Sequence, residues 1–132
     1  MVFDERTRTL FSGDLWLGVK VRVMGASENP YRILESLDNA IALEPARMFD
    51  AHRGLVDDPV AMLRAKRSWM ADTIGAIERA LDAGDSEREI LRSVLGGEER
   101  TAMVSEGEYS RRNFVRIVAK NRGTADPSLR SG

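Results

Sequence analysis

Over its first 56 residues the chain carries short apolar runs of the kind that form β-strands. Residues 1–4 predict a strand arm and 4–7 its turn, and a second strand covers 8–11 before Ser12-Gly13-Asp14 stops it. Residues 15–24 alternate apolar and polar side chains, which predicts a half-buried strand or extended segment. A further short strand over 46–51 leads into a loop at His52. The pattern therefore predicts three or four short strands.

Between these strands the apolar spacing changes to that of a helix. Asn29 and Pro30 supply an N-cap and a first helical residue, and Pro45 makes Glu44 a helix terminator. The apolar face of this helix consists of Ile33, Leu34, Leu37, Ala40 and Ile41.

After residue 58 the pattern is helical throughout. Asp58-Pro59 begins an amphipathic helix of roughly 24 residues, about 36 Å long. Its apolar stripe consists of Leu63, Met70, Ile74, Ile77 and Leu81, and Gly84 ends it. Ser86 and Glu89 form a capping box for a second helix.

A last helix carries Phe114, Ile117 and Val118, and either a Ser105–Glu108 box or Ser110 caps it. Residues 123–132 are polar and predict a disordered tail. We predict one domain over residues 1–122, with a strand-helix-strand portion over 1–58 and a helical portion over 59–122.

The composition narrows the class of protein. Lys plus Arg, 20, nearly balances Asp plus Glu, 21, so the net charge of −1 predicts no general attraction to nucleic acid or to an anionic membrane. No cysteine is present, which excludes disulfides, thiolate metal sites and cysteine nucleophiles. Charged residues follow Met1-Val2-Phe3 at once, and no apolar run is long enough to span a membrane. We expect a cytoplasmic protein without membrane association.

Two chemically useful side chains stand where apolar runs meet loops. Asp14 ends the run Thr9-Leu10-Phe11-Ser12-Gly13, and His52, the single histidine, lies in Ala51-His52-Arg53-Gly54. A carboxylate and an imidazole are ordinary zinc ligands. Each also has a plainer interpretation, Asp14 as a turn residue and His52 as a loop residue.

Other candidate functional residues are better explained by structural roles than by chemical ones. Asp57 and Asp58 favour helix capping over support of a metal site, and Trp16 and Trp69 favour core or interface packing. No nucleophilic serine has a partner arrangement, so the catalytic residues stay unknown.

The motifs resemble the C-terminal half of the metallo-β-lactamase superfamily. They are Leu10-Phe11-Ser12-Gly13-Asp14, the helix segment Glu35-Ser36-Leu37, Ala51-His52-Arg53-Gly54 with Asp58-Pro59, and the later Ser86 and Glu108 segments. Each motif is short, and their order and spacing over about residues 9–120 carry the resemblance.

The resemblance implies an α/β (α+β) fold that is half of an αββα sandwich: short strands, then a long amphipathic helix and two C-terminal helices. It also implies metal-dependent hydrolysis at a two-metal site, usually zinc, with Asp14 and His52 as metal ligands. The family's His-x-His-x-Asp-His motif is absent, because the chain has one histidine. Arg53 stands where the family usually has glycine. Two ligands do not hold a catalytic zinc. We therefore expect a truncated or separately encoded half that is inactive alone.

Half a sandwich leaves one sheet face uncovered, which predicts a homodimer or a complementing chain. A non-enzymatic self-associating module is the alternative function. Nucleic-acid binding by the last helix is a weaker alternative, resting on the basic residues Arg111, Arg112, Arg116, Lys120 and Arg122.

Overall fold

A four-stranded mixed sheet forms one layer of the protein. The computed structural model describes residues 1–13, 15–16, 18–25, 27–97 and 109–122. The sheet strands are β1 (Val2–Asp4), β2 (Thr9–Gly13), β4 (Arg47–Asp50) and β5 (Gly54–Val56), in the order β1-β2-β4-β5. The β2–β4 pair is parallel, and the β1–β2 and β4–β5 pairs are antiparallel. Two strands joined by a helix can pair in parallel, whereas a tight turn forces the antiparallel arrangement.

The connection between β2 and β4 contains helix α1 (Pro30–Ala42). The predicted cap is confirmed, since the Asn29 side chain accepts a hydrogen bond from the Tyr31 amide at 3.0 Å. The helix ends before Pro45, as predicted, and Glu44 has a positive φ of 49°. Its buried apolar face includes Leu34, Leu37 and Ala40.

The described residues after β5 form three further helices: α2 (Pro59–Asp82), α3 (Glu87–Leu95) and α4 (Arg111–Asn121). The predicted 24-residue helix is confirmed as α2. The capping box of α3 is also confirmed, with Ser86 and Glu89 exchanging both hydrogen bonds at 3.2 Å. Of the two caps proposed for the last helix, Ser110 is observed, while Ser105 and Glu108 lie outside the described residues.

A pair of two-residue strands joins the segment before α1 to the segment before α4. Strands β3 (Met24–Gly25) and β6 (Tyr109–Ser110) pair antiparallel. Asn113 donates a buried side-chain hydrogen bond to the Met24 carbonyl at 2.9 Å. This contact fixes α4 against the segment that precedes α1.

The structure departs from the pattern in three places. Of the strand or extended segment predicted over 15–24, the described residues between Leu15 and Val23 contain no strand, and only Met24–Gly25 pairs. Residues 54–56 form β5, a strand that the pattern does not predict. Asp58 occupies the N-cap position of α2, but its side chain makes no capping hydrogen bond, because the residue adopts a left-handed conformation (φ 49°, ψ 63°).

The two faces of the sheet have different surroundings. Strand alternation places Leu10, Met48 and Val56 on one face, where they pack with Leu37 and Leu63 of the helices. A second core, among α1 to α4, contains Leu34, Met70, Ile74, Ile90 and Phe114. The protein is therefore mixed α/β, as predicted.

On the opposite face, four large apolar side chains are exposed: Val2, Phe11, Phe49 and Leu55. They are direct neighbours in the strand register, so they form one continuous row across all four strands. We call this row the apolar row.

Within the described part of the chain, no helix combines the length and the apolar character needed to cross a membrane.

Candidate functional site

The carboxyl ends of β2 and β4 meet at one edge of the sheet. Their parallel pairing sets Gly13 opposite Asp50, after a register shift that follows Phe11. The Ala51 amide donates a 3.0 Å hydrogen bond to the Gly13 carbonyl. The structure thus joins the backbone immediately before Asp14 to the backbone immediately before His52. Asp14 itself lies outside the described residues.

The turn that carries His52 is organised by a buried carboxylate. Asp50 is 4% exposed and accepts hydrogen bonds from the backbone amides of His52 (3.1 Å) and Arg53 (3.0 Å). Its other oxygen accepts from the Ser12 hydroxyl at 3.2 Å. Because Ser12 belongs to β2 and Asp50 to β4, this carboxylate ties both strand ends together.

Arg53 contacts a neighbouring loop. A Cβ atom built on Gly18 would lie 3.2 Å from an Arg53 guanidinium nitrogen, and Gly18 has a φ of +121°. Only glycine adopts that backbone conformation without strain. The guanidinium therefore packs closely on the loop that follows Asp14.

A buried lysine anchors the same loop from the helical side. Lys66 of α2 is 3% exposed, and its Nζ donates hydrogen bonds to the carbonyl of Leu15 (2.8 Å) and to that of Trp16. The Trp16 indole in turn donates to the Met62 carbonyl, one turn earlier on α2, at 3.3 Å. The two residues that follow Asp14 are therefore attached to one side of α2.

Burial lowers the pKa of Lys66 from 10.5 to about 8. Desolvation of the ammonium group is the main cause, and the negative charges of Asp50 and Glu28 oppose it by favouring the protonated form.

A cavity of about 270 Å³ lies between α1, α2 and the loop. Lys66 forms part of its wall, and the other lining residues include Val21, Val23, Met24, Ile33 and Met70. The wall is mainly apolar, which explains the strong desolvation of the ammonium group.

The number and kind of donor groups in the candidate site determine whether it can bind a metal ion. Among the described residues, no group of three or more histidine, aspartate or glutamate side chains is placed to hold a metal ion. With Asp14 outside those residues, the Asp14–His52 pair stays a prediction. The two groups suit zinc in kind, but they are fewer than the three protein ligands of a catalytic zinc. No reaction step follows from this chain alone.

Four basic residues in and directly after α4 have partners within the chain. Arg112 and Arg116 pair with Glu87 at 3.2 and 3.0 Å, and Arg122 pairs with Asp82 at 2.7 Å. Arg111 donates to the Leu95 and Gly97 carbonyls. These contacts hold α4 against the ends of α2 and α3.

The tryptophans pack as predicted. Trp16 is buried in the sheet-side core, and Trp69 makes an edge-to-face contact with Phe114 at a centroid distance of 6.4 Å.

Sequence reasoning missed Lys66 and Asp50. A signal for Lys66 was present, because the apolar stripe of α2 has a gap between Leu63 and Met70 that Lys66 fills at helical spacing. Asp50 is on the inward side of β4, in phase with the buried Met48. A charged residue at a core-facing position needs a hydrogen-bond or ionic partner, and this rule would have identified both Lys66 and Asp50 as candidates.

No protein-family model, curated protein or solved structure gives a significant match to this chain.

Proposed function

We propose that this chain is the C-terminal half of a metal-dependent hydrolase of the metallo-β-lactamase type, with Asp14 and His52 as its contribution to the metal site. The observation that carries the proposal is the hydrogen bond between the Ala51 amide and the Gly13 carbonyl. Asp14 and His52 are 38 positions apart in the sequence, yet the residues that precede them are in contact.

The position of these strand ends favours a functional site. In α/β proteins, binding residues commonly follow the carboxyl ends of parallel strands, where loops diverge and leave a crevice. Here one loop is anchored by Lys66 and the other by Asp50. Such anchored loops hold side chains in place better than free ones do.

The number of ligands limits what the chain does alone. When bound, zinc supplies a nucleophile for hydrolysis at neutral pH, and that chemistry needs at least one more protein ligand than Asp14 and His52 provide. We therefore propose that a histidine-rich half completes the site, and that this chain alone has no hydrolase activity.

The apolar row supports the same conclusion. Helices cover one face of the sheet, while Val2, Phe11, Phe49 and Leu55 leave a continuous apolar row on the other. Four strands about 4.8 Å apart and up to five residues long outline a face of roughly 15–20 Å in each direction. A second β-layer that carries the missing ligands would cover this face and complete the site in one arrangement.

The single histidine makes the metal proposal directly testable. Zinc chloride is titrated into the chain while the His52 imidazole resonances are followed by NMR. We expect Asp14→Ala to raise the zinc concentration at the midpoint at least 10-fold, because a carboxylate ligand is lost. Asp57→Ala is the matched control and should leave the midpoint unchanged. Equal midpoints in the wild type and Asp14→Ala would overturn the proposal, as would imidazole resonances that do not respond to zinc.

The competing hypothesis is a self-associating module with no enzymatic role, which uses the same apolar row. The continuity of the row across all four strands favours it, since a second copy offers a matching row. Dimerisation combined with Asp14-independent zinc binding would support this hypothesis over the hydrolase half.

A further inference from the structure

Lys66 contacts the loop after Asp14, and its ammonium group interacts electrostatically with the carboxylate that organises the His52 turn. Its Nζ donates to the carbonyls of Leu15 and Trp16. The negative charge of Asp50 interacts with the Lys66 ammonium group, and Asp50 accepts the amide hydrogen bonds of His52 and Arg53. Lys66 therefore holds the loop after Asp14 directly, and that loop meets the His52 turn where Gly18 lies against the Arg53 guanidinium.

We propose that Lys66 is a positioning residue that holds the segment after Asp14 and the turn containing His52 in a fixed relation. The inference rests on the proposed function for its significance, since the two segments matter together only if they share a site. The contacts themselves are independent of any metal.

The loop after Asp14 contains carbonyl groups that need hydrogen-bond donors. No described residue between Leu15 and Val23 belongs to a strand, so the carbonyls of Leu15 and Trp16 have no sheet neighbour to pair with. Trp16 is buried, and a buried carbonyl without a donor is strongly unfavourable. The Lys66 ammonium group supplies donors to both carbonyls from α2.

Burying the Lys66 ammonium group costs free energy that an apolar side chain would not cost. Leu63 and Met70, one turn on either side of Lys66, are both buried apolar residues, so an apolar side chain would fit the stripe. A buried ammonium group at this position is strongly desolvated. The hydrogen bonds to the Leu15 and Trp16 carbonyls explain a lysine at this position in spite of that cost.

Amide hydrogen exchange on the metal-free chain tests this role. Four amides report on the two segments, because each is hydrogen-bonded within them: Leu15, Ala51, His52 and Arg53. In Lys66→Met, which keeps the apolar stem and removes the charge, we expect these four amides to exchange at least 10-fold faster. Amides in the middle of α2 and α4 should change no more than the global stability does.

Two further variants separate positioning from general stability. Ile77→Ala removes a fully buried side chain from the other core and should accelerate the exchange of the most protected amides across the fold, without a selective effect on the four reporters. Lys66→Arg keeps the positive charge and the donors and should restore at least half of the lost protection.

Uniform acceleration in Lys66→Met, as in Ile77→Ala, would overturn the inference, and so would unchanged protection of the four amides. Because no zinc is present in these measurements, failure of the Asp14-dependent zinc titration would leave this result standing. Conversely, a normal zinc titration combined with uniform exchange in Lys66→Met would reject the role of Lys66 and leave the proposed function standing.

Discussion

The rings of Phe11 and Phe49 stack on the face of the sheet opposite the one on which the described helices pack. Their centroids are 5.8 Å apart and the ring planes differ by 14°. The residues are direct partners in the parallel register of β2 and β4, and each is more than 40% exposed. Large aromatic side chains exposed at the centre of a row of apolar residues mark a contact surface.

We predict that the isolated chain associates weakly through the apolar row. The face is smaller than a standard interface, so we expect an association visible only as the concentration rises into the range of tens of micromolar or above. The double variant Phe11→Ser/Phe49→Ser should weaken it at least 10-fold in sedimentation-velocity experiments. Asn39→Ser, on the exposed side of α1, should have no effect. A wild-type chain that stays monomeric up to millimolar concentration would contradict this prediction.

Two adjacent residues of β4 should differ sharply in their effect on stability. Met48 is fully buried between the sheet and the helices, so we expect Met48→Ala to lower the free energy of unfolding by about 2–5 kcal/mol. Phe49 is already 43% exposed, and Phe49→Ala should cost only about 1 kcal/mol, mainly the stacking with Phe11. Urea denaturation of the two variants measures this difference. Equal losses would mean that the Phe49 face is covered in solution.

The two helix N-termini should respond differently to loss of their N-cap side chains. Ser86→Ala removes both the hydroxyl bond to the Glu89 amide and the geometry of the capping box, so it should cost about 1 kcal/mol. Asp58 has no capping bond and a φ of 49°, which glycine adopts more easily. Asp58→Gly should therefore leave the free energy of unfolding unchanged or raise it by up to about 1 kcal/mol. A loss in Asp58→Gly as large as that in Ser86→Ala would contradict this account.

Stability should rise with pH where Lys66 titrates. Its pKa is about 8 in the folded chain, against 10.5 as its ordinary value. Between these values the unfolded chain binds a proton that the folded chain has released, so the free energy of unfolding increases with pH. The gain from Lys66 should reach roughly 2–3 kcal/mol by pH 10.5, and the penalty is fully present below pH 8.

Denaturant midpoints measured from pH 7 to 10.5 test this behaviour. Lys66→Met should lack the rise, whereas Lys120→Met, which alters an exposed lysine, should retain it. The neutral amine still has two N–H groups for the Leu15 and Trp16 carbonyls, so the loop contact survives deprotonation. A rise of the same size in Lys66→Met would assign the effect to other groups.

Local signals were sufficient to predict the helices. Asn29 with Pro30, Ser86 with Glu89, and the apolar spacing after Pro59 all act within a few residues, and each corresponds to an observed helix start or helix face. The short strands 1–4 and 8–11 were also recognisable, because a turn joins them directly. Asp58 shows the limit of such signals, since the residue type suits an N-cap but the backbone enters α2 in another conformation.

Only the tertiary structure decided how distant segments meet. The alternation over residues 15–24 predicts a strand, yet its carbonyls at Leu15 and Trp16 bind Lys66 from α2. Periodicity records which side chains avoid water, but not which partner satisfies the backbone. Likewise, the charges of Lys66 and Asp50 are compatible with burial because the folded chain supplies backbone carbonyls to one and backbone amides to the other.

By itself, the sequence determined the described helices, the strands β1, β2 and β4, and the mixed α/β class. It did not determine that β2 and β4 are parallel neighbours, which brings Gly13 and Ala51 into contact across 38 positions. Nor did it determine which sheet face the described helices cover, because Phe11 and Leu10 are both apolar and only the position of those helices distinguishes them. Residue spacing sets local conformation, whereas strand pairing and layer order depend on the free energy of packing the whole chain.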